Sequence, residues 1–387
     1  MIHELAAFDR PSASAGERRA AEWIAAELRA LGLAPAIEEE RAHGGYWWPL
    51  AAANVLAAAG GALALRRRDR RGRLIAMILG AAGATAAWDD VTGRGFRFRR
   101  RLFPHRATWN VVAEAGDEKA ERTVIVVAHH DAAHSGIVFH PALGQIGPRF
   151  FPKMHARATH TFPIMHTVWG GPLLIGAGAI LGSARVLRGG VALATGAVAA
   201  MIDIAAHPVV PGANDNLSAV AALFALAESL RDKPLQGLRV FLVSTGSEES
   251  FSEGMLGFAR RHFPALDRTR TEVLCLECLG SATLAVVEGE GMLKLHDYSP
   301  HMREELAAAA AEAGVAVTRG LRTVAATDGL ISMRAGYPTV TLASIDESGL
   351  PRNYHWPTDT PEALDWDTLH GAIGVADRFL RRRARSS

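Results

Sequence analysis

The chain has 387 residues, 49% of them apolar and 21% charged, with a formal net charge of +2. That composition can build a sizeable core, which excludes a disordered chain, and the near-neutral balance argues against a nucleic-acid partner. Only two cysteines occur, Cys275 and Cys278, so no disulfide framework is possible. They share one apolar run and read as buried thiols.

The first ten residues have neither a basic stretch nor a long apolar run, and so do not read as a signal peptide. Residues 12–33 predict an amphipathic helix. Ser14 is its candidate cap, with Glu17 three residues on, and Gly32 ends it. Further on, segments 108–113, 123–128, 238–244, 272–276 and 339–343 predict strands. Segments 216–230, 254–261, 302–313 and 367–381 predict helices. Nearly continuous apolar strands alternating with helices predict an α/β fold: a mixed, mostly parallel central sheet covered by helices.

Four apolar stretches interrupt this alternation, at 49–65, 74–88, 168–181 and 191–206. They form two hairpins with arginine-bearing turns, 66–73 in the first and Arg185 and Arg188 in the second. Each stretch is about 14–17 residues long, short against the roughly 20 that span a bilayer. They are rich in Ala and Gly, which suits tight packing between membrane helices. Buried helices of a soluble protein, or an oligomer interface, are the competing reading. Membrane contact through 49–88 and 168–206 is preferred because both hairpins have polar, charged ends, with Trp47, Trp48 and Trp88 as interfacial aromatics. The expected location is a bacterial inner membrane, multi-pass or hairpin-embedded. Six arginines in 66–73 and six in 94–106 leave the orientation open. Asp203 inside the fourth stretch opposes simple spanning. The domain division that follows is 1–45, 105–135 and 208–387 for the main domain, with insertions at 46–104 and 136–207.

Three of the predicted strands are followed directly by chemistry-bearing residues. His129-His130-Asp131 follows 123–128, and Asp215 precedes a helix. Glu248-Glu249 follows 238–244, Glu277 follows 272–276, and His355 lies near the C-terminus. Taken alone, an Asp ahead of a helix is usually a cap and a Glu pair usually a solvated turn. Their joint placement at carboxyl ends of strands is where such sheets gather chemistry. Two imidazoles and three carboxylates suit zinc, and a two-metal site about 3.5–4 Å across needs one bridging carboxylate. His129, Asp215, Glu249, Glu277 and His355 supply five ligands and leave Glu248 spare as a proton shuttle. Asp131, two residues beyond His129 in extended chain, can accept the imidazole N–H.

At these residues the sequence resembles the co-catalytic zinc exopeptidases of the aminopeptidase S and aminopeptidase Y type, in clan MH. The matching motifs are His129-His130-Asp131, Gly212-Ala213-Asn214-Asp215-Asn216, Glu248-Glu249, Glu277 and Tyr354-His355. The resemblance covers roughly 1–45, 105–135 and 208–380. It implies one zinc on His129, Asp215 and Glu277 and a second on Asp215, Glu249 and His355, with Asp215 bridging. Glu248 would be the general acid and base, and the reaction peptide or amide hydrolysis by a metal-activated water. Other divalent metals, cobalt or manganese, fit the same set. The chain departs from the family in the 84-position separation of Asp131 and Asp215, in the first hairpin, and in Thr327-Asp328-Gly329, where the family often shows S-D-H.

The expected function is thus a membrane-associated aminopeptidase acting on peptides. An N-acyl amino-acid or lipid-amide hydrolase using the same site is the alternative enzyme, and a membrane scaffold with a vestigial site the non-enzyme. A glutaminyl-cyclase-like acyltransferase is less expected, because such relatives use one zinc. Histidines 130, 134, 140, 155, 160 and 166 read as loop histidines. Asp346-Glu347 could meet a substrate amine, and the tail 381–387 reads as a solvated or membrane-surface end.

Overall fold

The computed structural model describes residues 1–93, 95–155, 157–161, 163 and 165–385. Helix α1, Ala15–Ala30, starts as the sequence predicts. The Ser14 hydroxyl accepts from the Glu17 N–H, and Gly32 lies past the end at φ +88°. Glu17 does more than close the cap. Its carboxylate also accepts from the Thr108 hydroxyl and from the N–H groups of Ala13, Trp109 and Ser247, tying α1 to the strand that carries Thr108 and to the loop after Thr245.

The sheet comprises β1 (Ala36–Ala42), β2 (Arg106–Gly116), β3 (Thr123–His129), β4 (Arg239–Thr245), β5 (Thr271–Glu277), β6 (Thr283–Val287) and β7 (Thr339–Ile345), in the order β1-β2-β4-β3-β5-β7-β6. The four central strands β4, β3, β5 and β7 are parallel, and β1, β2 and β6 are antiparallel additions at the edges. The central strands are buried almost throughout, which is why they read as continuous apolar runs. Edge strands β1 and β6 were not among the predicted elements. The β1 sequence AIEEERA has no apolar alternation, because its glutamates face basic side chains: Glu38 meets His262 and Glu40 meets Arg261.

The inserted stretches form four helices, α2 (Trp47–Arg67), α3 (Arg70–Val91), α4 (His166–Leu181) and α5 (Ala184–Ala206). Three of them, α2, α3 and α5, are long and apolar enough to cross a membrane. The expectation that the stretches are short is corrected for these three and holds for α4, at 16 residues. The helices run on through their flanking arginines, whose charged heads can lie beyond the apolar span. The two expected hairpins are present, and they pack on each other as a single four-helix bundle. Small residues set the close approaches. A Cβ on Gly80 would fall 2.6 Å from the Gly176 nitrogen, and one on Gly171 2.6 Å from the Ala194 nitrogen. Both arginine-bearing turns lie at the same tip, where a Cβ on Gly182 would meet the Arg73 guanidinium. Asp203 lies at the end of the apolar helix and not at its middle. It sits in the last turn of α5 at the bundle's foot, where its carboxylate accepts from the Ile137 N–H and lies beside His207.

The sheet's other cover comes from α6 (Ser218–Asp232), α7 (Glu253–His262), α8 (Pro300–Glu312), α9 (Asp328–Arg334) and α10 (Trp366–Arg385). Helix α10 absorbs most of the C-terminal arginines expected to be solvated. Arg382 pairs with Glu305 and Glu312, and the buried Arg383 pairs with Glu272. Ser386 and Ser387 of that tail lie outside the described residues, as does Arg94 of the basic run.

The foot of the bundle is tied to the sheet domain by a buried guanidinium. Arg99 donates to both carboxylate oxygens of Asp90, at the end of α3, and to the Ser250 carbonyl, and lies 3.4 Å from Glu253. Removing one partner of such a buried group leaves the others uncompensated. Arg99→Met should therefore destabilise the protein by about 3–5 kcal/mol, with part recovered by adding Asp90→Asn. Shifts of the denaturant midpoint measure both.

Candidate metal centre

The parallel strands deliver the chemistry to one edge. His129 ends β3, Glu248 and Glu249 follow β4, Glu277 ends β5, and His355 lies in the loop after β7. Asp215 enters from the turn that leads into α6, and its peptide bond to Asn216 is cis. The five predicted ligands and Glu248 converge, with Asp131 behind His129. The Nε2 atom of His129 lies 3.2 Å from Asp215 Oδ1 and 3.4 Å from Glu277 Oε1. That of His355 lies 3.3 Å from Asp215 Oδ2 and 3.1 Å from Glu249 Oε2. Asp215 thus turns one oxygen to each imidazole, between two sets of donors. Glu248 stands aside, 3.9 Å from His129 Nε2. Glu248 and Glu277 are 11% and 14% exposed and mark the open side.

This donor set fits divalent cations. Buried His129 Nε2, Asp215 Oδ2 and Glu249 Oε1 have no hydrogen-bond partner. Lone pairs converging in a dry place without donors call for positive charge. Imidazole and carboxylate together suit zinc.

Positioning is done by residues whose jobs are not visible in any motif. Asp131 was expected to orient His129, whose Nδ1 lies 3.4 Å from Asp131 Oδ1 and 3.2 Å from the Asp131 carbonyl. Its carboxylate also accepts from the N–H groups of Glu248 and Glu249 and from the Ser12 hydroxyl, so it holds the glutamate pair in place. Asp359 accepts from the N–H groups of Asn214 and Asp215 and fixes the bridging residue. Its only sequence signal was its place four residues after His355. Arg10 is fully buried and donates to the carbonyls of Leu5, His130, Pro211 and Gly212. Nothing in the local sequence announced it. Gly212 is required there, since at φ +59° a Cβ would lie 2.6 Å from both Arg10 Nη2 and the Asp215 carbonyl. Asn216 locks the turn to β5, donating to the Leu276 carbonyl and accepting from the Cys278 N–H.

Asp328, from the departing Thr-Asp-Gly motif, accepts from the Thr245 hydroxyl beside the site, and burial raises its pKa to about 7. His130 is a neutral core histidine 3.0 Å from the Ser244 hydroxyl, with a pKa lowered by burial to about 3. The Asp346 carboxylate is spent on its own turn, accepting from the Ser348 N–H and hydroxyl. Both cysteines are free and buried.

Without a cation these charges disturb one another. Burial opposes a charged His129, yet the nearby carboxylates of Glu277, Asp131 and Asp215 hold its pKa well above the ordinary value. Burial is likewise outweighed at His355, which Glu249 and Asp215 carry to about 10. Glu248 is pushed well up by burial, and the charges of Glu249 and Glu277 add to the shift. Asp215 stays low despite burial, because both imidazoles stabilise its charge.

Residues 198–377 match Peptidase family M28. No curated protein matches the sequence. Among solved structures, a glutaminyl cyclase from Tannerella forsythia has 14% identity and a TM-score of 0.56, over 98% of this chain and 95% of that one. A zinc aminopeptidase from Bacillus subtilis has 13% identity and a TM-score of 0.56, over 99% and 93%. A Zn-dependent exopeptidase from Parabacteroides distasonis has 13% identity and a TM-score of 0.54, over 100% and 96%. At these identities the likeness is one of fold.

Raised imidazole pKa values mean that protons compete with metal for His129 and His355. Adding Zn2+ to metal-free protein at pH 7 should release protons, and affinity should fall by about tenfold per pH unit for each proton displaced as pH drops. Calorimetry in two buffers of different ionisation enthalpy measures the release; equal heats in both would contradict it.

Proposed function

We propose that this chain, which carries a peptidase M28 domain, is a membrane-anchored metallo-aminopeptidase using two zinc ions. The observation that carries the reading is the Asp215 carboxylate shared between two imidazole–carboxylate sets, with Glu248 left over beside them. His129, Asp215 and Glu277 would hold one ion, and Asp215, Glu249 and His355 the other. Bound there, the ions would supply Lewis acidity toward a carbonyl oxygen and a water acidified to near neutral pH.

The chain's own residues do the rest. Glu248 accepts the proton of the attacking water and returns it to the leaving amine, which splits the amide without a covalent intermediate. Asp131 fixes Glu248 through its backbone N–H, so base and ligand cannot drift apart. Asp359 and Arg10 pin the backbone around Asp215.

Membrane anchoring is supported by the length and apolar composition of three bundle helices. Val55, Leu56, Leu74, Ile78, Leu173 and Ile202 are exposed on the bundle, which a watery setting would penalise. Trp47, Trp48, Trp88 and Trp169 gather at its foot, as interfacial aromatics do. A second reading, hydrolysis of an N-acyl or lipid amide, draws on the walls of the site. Tyr46 and Trp47, at the start of the first bundle helix, stand beside Glu249 around a water-sized gap.

Matched peptides with free and acetylated N-termini separate the two. The aminopeptidase reading expects N-terminal residues to be released from free-amine peptides alone. Glu248→Gln should lower the rate by about 10²–10⁴-fold with metal content unchanged. Preferred cleavage of acylated substrates would select the second reading. Carbonate washing of membranes tests the anchor, which should resist extraction.

A further inference from the structure

The segment Ile137–His155, between β3 and α4, has no part in the chemistry above, yet it spans the site. Its start is fixed to the foot of the bundle. The Ile137 N–H donates to Asp203, and Val138 and Phe139 pack against the buried cluster that includes Met201 and Ile204 of α5. Phe139 stands edge-on to His355 with ring centroids 4.5 Å apart, and His140 packs on Trp356. At its far end His155 reaches the Glu347 carbonyl. It therefore runs from the bundle foot across the loop that carries a predicted ligand.

Its free surface is apolar and cationic. Ile137, Leu143, Ile146, Phe150, Phe151 and Met154 are 44–67% exposed. Six large apolar side chains exposed within 18 residues are not scattered surface hydrophobics. Arg149, Lys153 and Arg157 lie among or beside them, and no Asp or Glu occurs from position 132 to 202. Short helices with exposed Phe, Leu and Met and only cationic charge match a surface that is apolar beneath anionic headgroups. The segment is continuous with the bundle foot and its tryptophans, so that surface is already at hand if the bundle spans a bilayer.

We propose that Ile137–His155 is an interfacial platform lying on an anionic bilayer surface, which places the mouth of the metal centre at that surface and favours substrates anchored in the membrane over freely diffusing ones. The proposal rests on the membrane-anchored reading above.

The test uses the full chain in proteoliposomes with and without phosphatidylglycerol. An environment-sensitive fluorophore is attached at Phe150→Cys and, as a control, at Glu118→Cys in the exposed turn at the opposite edge of the sheet. The native thiols are buried. The platform predicts quenching of the label at 150 by shallow doxyl-labelled lipids, stronger with phosphatidylglycerol, and none at 118. Absence of lipid quenching at 150 overturns it. So does shielding of that label from a water-soluble quencher without lipid quenching, which assigns the face to a second copy or a soluble partner. Failure of the anchor itself shows differently, as loss of the protein from floated liposomes. In activity, the triple variant Phe150→Ser, Phe151→Ser, Met154→Ser should lose about tenfold in kcat/KM on a peptide tethered to lipid by its C-terminus. It should stay within about twofold on the untethered peptide. Equal losses on both overturn the substrate preference, and cleavage of neither peptide by wild type, with quenching intact, overturns the aminopeptidase reading alone.

Discussion

One constraint organises this molecule: several carboxylates and two imidazoles are gathered at a single dry point, with Asp215 between the imidazoles. Unpaired charge in such a place is expensive, and like charges at a few ångströms raise the cost further. The surrounding structure is arranged to hold it. Arg10 gathers four carbonyls under the Asp215 turn, Asp359 takes two backbone N–H groups of that turn, and Asp131 takes two more from the glutamate pair. The parallel strands contribute by ending together, since His129 and Thr245 are in register, as are Glu277 and Ala343. The site is less a pocket than a meeting of strand ends whose mutual repulsion a bound cation would relieve.

What could be read from the sequence follows from burial. Strands covered on both faces are apolar throughout, so β3, β4, β5 and β7 were legible, and the donors beyond their ends stood out against them. Strands at the edges need no such pattern, and β1 is stabilised by cross-element pairs such as Glu38 with His262 that no local window displays. The motif residues were visible because their chemistry restricts residue type. Arg10 was not, because its task is to satisfy backbone carbonyls brought together only by folding. Asp131 was half visible: its spacing from His129 spoke for the imidazole, whereas its grip on the glutamates needs β4 beside β3.

The apolar insertions misled in a different way. Hydropathy counts residues, so arginines at the ends shortened the apparent stretches, whereas the backbone continues helically for another turn. That the two hairpins form one bundle depends on glycines facing glycines or alanines across helices. Such contacts rest on close van der Waals approach and require no water to drive them.

Arg99 gives this arrangement a mechanical character. The guanidinium holds Asp90 at the end of one bundle helix and the Ser250 carbonyl immediately after Glu249. Being fully buried, it cannot exchange those partners for water as a surface arginine could. Helices in bilayers tilt to match the thickness around them. Any such tilt of this helix must pull, through a few rigid bonds, on the loop that carries the glutamate pair. In the proposed membrane setting, the thickness of the surrounding lipid and the geometry of the glutamates would be joined by a lever whose fulcrum is a single side chain.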